Sequence, residues 1–182
     1  MHRLSGVIEL LDGHSSRPAM GVVPRFRLND APIALARRPD ARYILVDLSP
    51  GRYRLDVDAP AFLTYSVDFE LKPETTLADA WLRCMLQPGP AYVYPPQSTL
   101  IRGALPPGRT LAEISARYVT VRGRERHVRT RCAPGDAYTL ALSGQLADPT
   151  PVTLSFAFTD GQARELHLTI TPGRTHRAGA PL

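Results

Sequence analysis

Eighteen prolines and thirteen glycines are spread through 182 residues, and this punctuation limits the chain more than any other feature. Proline fixes φ and has no N–H, so it ends helices and is kept out of central strands. Only short runs survive between the breaks, and most of them alternate apolar with polar residues. That alternation is the period of a strand with one buried face. The densest cluster, Gln87-Pro88-Gly89-Pro90-Ala91-Tyr92-Val93-Tyr94-Pro95-Pro96, can continue neither a helix nor a central strand. It predicts an extended, stiff linker over residues 88–97, with its tyrosines packed on a flanking domain.

The chain therefore divides into residues 1–87 and 98–182, each long enough for a modest sandwich core. Charge supports the cut. Residues 1–87 hold eleven basic and eleven acidic side chains, and the remainder holds eleven and six, so the whole net charge of +5 falls after residue 87. Of the basic residues only Lys72 is a lysine.

In the first half, strands are expected over residues 6–11, 22–28, 42–48, 52–58 and 65–71. In the run Arg52-Tyr53-Arg54-Leu55-Asp56-Val57-Asp58, the apolar Tyr53, Leu55 and Val57 face inward and the charges face water. Residues 75–87 are ambiguous. Leu77, Trp81 and Met85 have helical spacing behind a Thr75 or Thr76 cap, but a strand over 80–86 closes the sandwich and is favoured, with Trp81 in the core or against the linker. In the second half, strands are expected over 98–105, 117–121, 127–132, 138–142, 152–159 and 163–171. Asp160-Gly161 marks a hairpin, and Thr110-Leu111-Ala112-Glu113 has the spacing of a capping box and predicts one helical turn. The expected class is all-β: two tandem Ig-like or transthyretin-like antiparallel β-sandwich domains.

The stretch Leu48-Ser49-Pro50-Gly51-Arg52-Tyr53-Arg54-Leu55-Asp56-Val57 resembles the Pro-Gly-x-Tyr-x-Leu-x-Val strand opening of carboxypeptidase-regulatory-like, or transthyretin-like, β-sandwich domains. Upstream, Ile8-Glu9-Leu10-Leu11-Asp12 and Arg17-Pro18 before Gly21 are similar to that family's first strand and the turn after it. Ala61 stands where the family often has glycine. Leu100-Ile101-Arg102-Gly103, residues 116–121, Gly135 and Tyr138-Thr139-Leu140 resemble a fainter copy of the same order. The resemblance implies support, adhesion or docking without chemistry. The tandem arrangement is also similar to accessory proteins of phage tails and contractile particles.

The catalytic and ligand signatures sought are missing. The five histidines (His2, His14, His127, His167 and His176) form no HxH or HExxH pair, and neither cysteine has zinc spacing. No GxSxG, phosphate loop or calcium loop is present. Asp47, Asp56, Asp58 and Asp68 read as the wet face of a sheet. The expectation is therefore no enzyme activity, no cofactor and no metal. His2 and His176 are expected in disordered termini. Cys84 and Cys132 are expected as free thiols, the N-terminus lacks an apolar leader core, and no run of about 20 apolar residues is present, so a cytoplasmic protein without membrane insertion is expected.

One cluster rises above this background. Arg117, Arg122, Arg124, Arg126, His127, Arg129 and Arg131 fall in fifteen residues that contain a single acid, Glu125. As a hairpin, His127, Arg129 and Arg131 share one face. Such a surface suits an acidic protein partner, or nucleic acid as the alternative. It also suits a solvated edge that discourages strand aggregation. Poor aromatic interleaving counts against single-strand stacking. A homo-oligomer is left open.

Overall fold

The computed structural model describes residues 3–76, 78–105, 111–131, 135 and 137–179. The chain separates into two compact units, Met1–Tyr92 and Val93–Leu182. All regular structure among the described residues is β, and no helix there is long and apolar enough to cross a membrane.

The first unit contains β1 (Leu4–Asp12), β2 (Arg25–Leu28), β3 (Ala31–Ile33), β4 (Ala36–Arg38), β5 (Arg42–Val46), β6 (Gly51–Asp58), β7 (Tyr65–Leu71) and β8 (Trp81–Leu86). They form two sheets, β4-β5-β1-β8 and β3-β2-β6-β7. Ile8, Leu10, Tyr43, Leu45, Cys84 and Leu86 from the first sheet meet Phe26, Leu55 and Val57 from the second in one core. Period-two alternation along strands such as β5, β7 and β8 contributes to this arrangement, because it places every second side chain on the inner face.

The second unit contains β9 (Thr99–Ala104), β10 (Leu111–Val119), β11 (Glu125–Thr130), β12 (Ala137–Leu142), β13 (Thr150–Phe158), β14 (Ala163–Ile170) and β15 (Thr175–Arg177). Its sheets are β12-β9-β15 and β11-β10-β13-β14. Ile101, Tyr138 and Leu140 pack against Ile114, Tyr118, Leu154 and Phe156.

The two units share one connectivity. In each, a hairpin enters the second sheet, a strand returns beside the first strand (in the first unit with the short β4 outside it), another hairpin completes the second sheet, and the last strand joins the first strand in parallel. This is an all-β chain of two tandem β-sandwich domains. The shared connectivity also corrects the expected correspondence between the halves. Tyr138 lies on β12, which takes the place of β5 and its Tyr43, whereas the place of β6 and Tyr53 is taken by β13. Gly135 has φ +81, so the turn there leads into the returning strand.

Several other expectations change. Glu113 lies within β10, so no helical turn forms there, and Thr110 lies outside the described residues. The threonine cap at 75–76 exists without a helix. Thr76 accepts the Asp79 N–H at 3.3 Å through Oγ1 and the Ala80 N–H at 3.0 Å through its carbonyl, after which β8 begins. β8 is the favoured strand, but Trp81 points away from the core and is 36% exposed. His176 is on β15 and half-buried, with Nε2 3.0 Å from both the backbone N and O of Thr171. His2 lies outside the described residues.

The segment expected as a linker is partly first-domain structure. Gly89 donates to the Ala61 carbonyl at 2.8 Å, Pro88 bridges Phe62, and the Tyr92 hydroxyl reaches the Asp12 carboxylate. Ala61 itself has φ +69, the left-handed region that glycine enters without steric cost. Cys84 is free and fully buried, and burial pushes its thiol up to about 12. Cys132 lies outside the described residues.

Candidate functional site

The arginine cluster folds as the β10–β11 hairpin at the edge of the second unit's four-stranded sheet. Its turn is ordered by local chemistry. The Thr120 N–H donates to the Arg124 carbonyl at 2.9 Å, and the Gly123 N–H returns to the Thr120 carbonyl at 2.8 Å. The Arg124 N–H also reaches Thr120 Oγ1 at 3.2 Å. Gly123 has φ +71, which closes the turn without a Cβ. The Val121 N–H is tied to the Gln145 carbonyl at 2.9 Å, and the Tyr118 hydroxyl accepts from the Ser143 N–H at 2.8 Å. The turn therefore holds Arg122 and Arg124 on a braced support.

Register sorts the seven candidate residues. Ala116 and Tyr118 point into the core, so Arg117 points outward. One outward row then crosses the whole sheet: His127 on β11, Arg117 on β10, Thr153 on β13 and His167 on β14. The next row is Arg129, Ser115, Ser155 and Glu165. Arg126 stands opposite the inward-facing Tyr118 and so lies on the other face of the edge strand, though exposed. Arg131 is exposed just beyond β11. The structure thus unites Arg117, His127 and Arg129 on one face, with Arg122 and Arg124 at its tip, and separates Arg126 from them. His127 and His167 share a row without touching, since two strands lie between them.

Ion pairing divides the arginines further. Arg117 pairs with Glu125 at 3.8 Å and Arg129 with Glu113 at 3.6 Å, while Arg129 Nε donates to His127 Nδ1 at 3.3 Å. His167 Nδ1 lies 3.1 Å from the Thr153 hydroxyl. Arg122, Arg124, Arg126 and Arg131 make no ion pair among the described residues. Beside this polar row the sheet carries a shallow groove of about 350 Å³, lined among others by Arg117, Val119, Glu125, Pro151, Thr153 and His167. Val119 and Val121 are 52% and 55% exposed, so the basic tip has apolar shoulders.

A second polar cluster lies on the first unit. Glu9 on β1 is shared by Arg42 Nε at 3.3 Å, Arg83 Nε at 3.4 Å and Trp81 Nε1 at 3.3 Å, and the Arg42 guanidinium lies 5.2 Å from the Trp81 ring centroid. Residue type and spacing do not reveal this cluster, because it needs β8 beside β1. The four aspartates do not converge. Asp58 stands opposite Arg25 and Asp68 opposite Arg54 in register, Asp56 bonds Ser66, and Asp47 accepts the Arg3 N–H. Among the described residues, no group of three His, Cys, Asp or Glu side chains is placed to hold a metal ion.

Neither a protein-family model nor a curated protein matches the chain. Several solved structures resemble it distantly, among them the following. The Bacillus anthracis TIE protein has a TM-score of 0.38 and 14% identity, over 97% of this chain and 33% of that one. A candidate adhesin from Bacteroides ovatus has 0.31 and 12%, over 98% and 90%. A leucine-rich repeat protein from Bacteroides thetaiotaomicron has 0.27 and 9%, over 100% and 26%. The chain thus spans about a third of the TIE protein, and likenesses at these scores assign it to no family and no activity.

Proposed function

We propose that this chain is a non-catalytic interaction module whose second domain docks an acidic protein surface through the arginine hairpin. The observation that carries the reading is the outward row His127, Arg117, Thr153 and His167, running into Arg122 and Arg124, which make no ion pair among the described residues, beside exposed Val119 and Val121. Basic residues at a rim steer an acidic partner, and apolar shoulders add contact area. The finer reading is an accessory component of a phage-tail-like or contractile particle. Descent from transthyretin-like domains belongs to the same proposal and rests on the turn at Pro50-Gly51-Arg52-Tyr53.

The test is co-purification from a nuclease-treated native lysate. The wild type is expected to retain a stoichiometric protein partner, or to co-sediment with a particle. The double variant Arg122→Glu with Arg124→Glu should lose that partner while keeping its unfolding midpoint. Retention by the variant, or isolation of the wild type as a lone monomer, would refute the docking site. Loss of the retained material on nuclease treatment alone, with a salt-dependent shift on DNA or RNA, would replace this reading with nucleic-acid binding.

A further inference from the structure

We propose that the first domain has a separate binding groove for an apolar chain or ring ending in a carboxylate. This site is independent of the arginine hairpin, so either proposal can fail without the other.

The groove opens where β3 passes into β4 and has a volume of about 680 Å³. β3 ends one sheet and β4 ends the other, and only Ala34 and Leu35 separate them. The chain changes sheets there, and the mouth of the sandwich stays open beside the crossing. Phe26, Pro32, Ile33 and Leu35 make the walls apolar. No lining residue is acidic, and two are basic, Arg25 and Arg37. Neither arginine makes an ion pair among the described residues, although Arg25 stands opposite Asp58 in the ladder.

Tyr43 supplies the independent sign of a ligand. It is only 4% exposed, and its ring packs on Phe26 at 4.7 Å between centroids. Its hydroxyl has no hydrogen-bond partner among the described residues. No buried side-chain oxygen lacks a partner there, so this hydroxyl must reach solvent, and the groove that Tyr43 lines is where it does so. Among the described residues that hydroxyl has only solvent to bond with, so an acceptor seated in the groove can take the place of water there. Arg37 stands directly opposite Tyr43 in the β4–β5 ladder, and directly opposed residues share a face. Burial raises the phenol's pKa, and the Arg37 charge opposes that rise, which places the guanidinium field on the same hydroxyl. A carboxylate seated there accepts from the Tyr43 hydroxyl and pairs with Arg37, while its apolar portion covers the walls. The contrasting role for Arg37 is an inward-pointing charge that only protects a sheet edge. That role predicts no ligand preference.

Two matched pairs of probes test the site by NMR shift titration at neutral pH: octanoate against 1-octanol, and acetyl-Gly-Gly-Leu as free acid against its amide. At least one acid should bind saturably, about tenfold tighter than its neutral partner, as a charge-assisted pair implies. Octanoate alone would identify a free amphiphile as the ligand, and the peptide acid a partner's C-terminus. Arg37→Gln should abolish the preference without changing the unfolding midpoint. Tyr43→Phe, which keeps the ring, should reduce it several-fold. If Tyr43→Phe does not fold, Arg37→Gln decides alone. Equal binding of acid and neutral probes, no saturable binding by any of the four, or an undiminished preference in Arg37→Gln would each overturn the site.

Discussion

Asp56 shows how neighbours override a strand's alternation. Its position on β6 is on the wet side, yet it is only 7% exposed, because Ser66 and Arg54 close over it. Ser66 Oγ donates to its carboxylate at 2.6 Å and Arg54 Nε lies at 3.5 Å. The Ser66 hydrogen bond is the main cause holding this carboxyl below its ordinary range; burial opposes it, and the Arg54 and Arg27 charges assist. A carboxyl depressed in the folded state adds stability above its unfolded pKa, about 3.9, and loses it as pH falls through the folded value. Ser66→Ala should raise the Asp56 midpoint in a carboxyl NMR titration and move acid destabilisation to higher pH. An unmoved midpoint would show that the hydroxyl is not the cause. Residue type alone marks Asp56 as an outward acid. Its burial depends on β7 being its neighbour.

At the scale of elements, the strands easiest to read were the long ones, β1 as an apolar run and β6, β7, β13 and β14 by their alternation. Short and non-local strands were not legible. β3 and β4 have three residues each, too few for a period to show. The β2–β3 hairpin did leave a signal in Asn29-Asp30, whose φ values of 49 and 65 are those of a two-residue turn. β15 leaves none, since its parallel pairing with β9 joins residues some 75 positions apart. Gly103 tests that junction. A Cβ there would lie 1.9 Å from the Ala178 carbonyl and 2.6 Å from the Tyr138 ring, and Tyr138 donates to that same carbonyl at 2.7 Å. Gly103→Ala should cost at least about 2 kcal/mol by overpacking, measured by urea unfolding. Gly179→Ala, which meets nothing within 4 Å, should stay within about 0.5 kcal/mol. Equal effects would mean that the β9–β15 junction does not carry the stability assigned to it.

For the whole molecule, the decisive fact is two cores with one connectivity. Each core draws on both sheets of its own unit, so each has the means to fold alone. A fragment of residues 1–92 should give a β-type circular dichroism spectrum and one cooperative urea transition. Its slope should match that of the first domain's own transition within the full chain, because slope follows the surface exposed. A broad, non-cooperative transition would show that the first sandwich depends on its neighbour. The fragment should end after Tyr92, since cutting at residue 87 removes Gly89, which donates to Ala61, and Tyr92, which packs on Phe62 at 5.3 Å between ring centroids.

Proline spacing and alternation were enough to establish β class and the tandem division, because both act over a few neighbouring residues. The same local character exposed the arginine hairpin, whose strands and turn are contiguous in the chain. What only the tertiary structure decided depends on strands distant in sequence becoming neighbours. Register through β13 put Arg117 in a row with His167. The β8–β1 pairing gathered Glu9, Arg42, Trp81 and Arg83. The crossing from β3 to β4 left Tyr43 and Arg37 facing an open groove. A residue's type sets the chemistry it offers, while the pairing of strands decides which residues share a face.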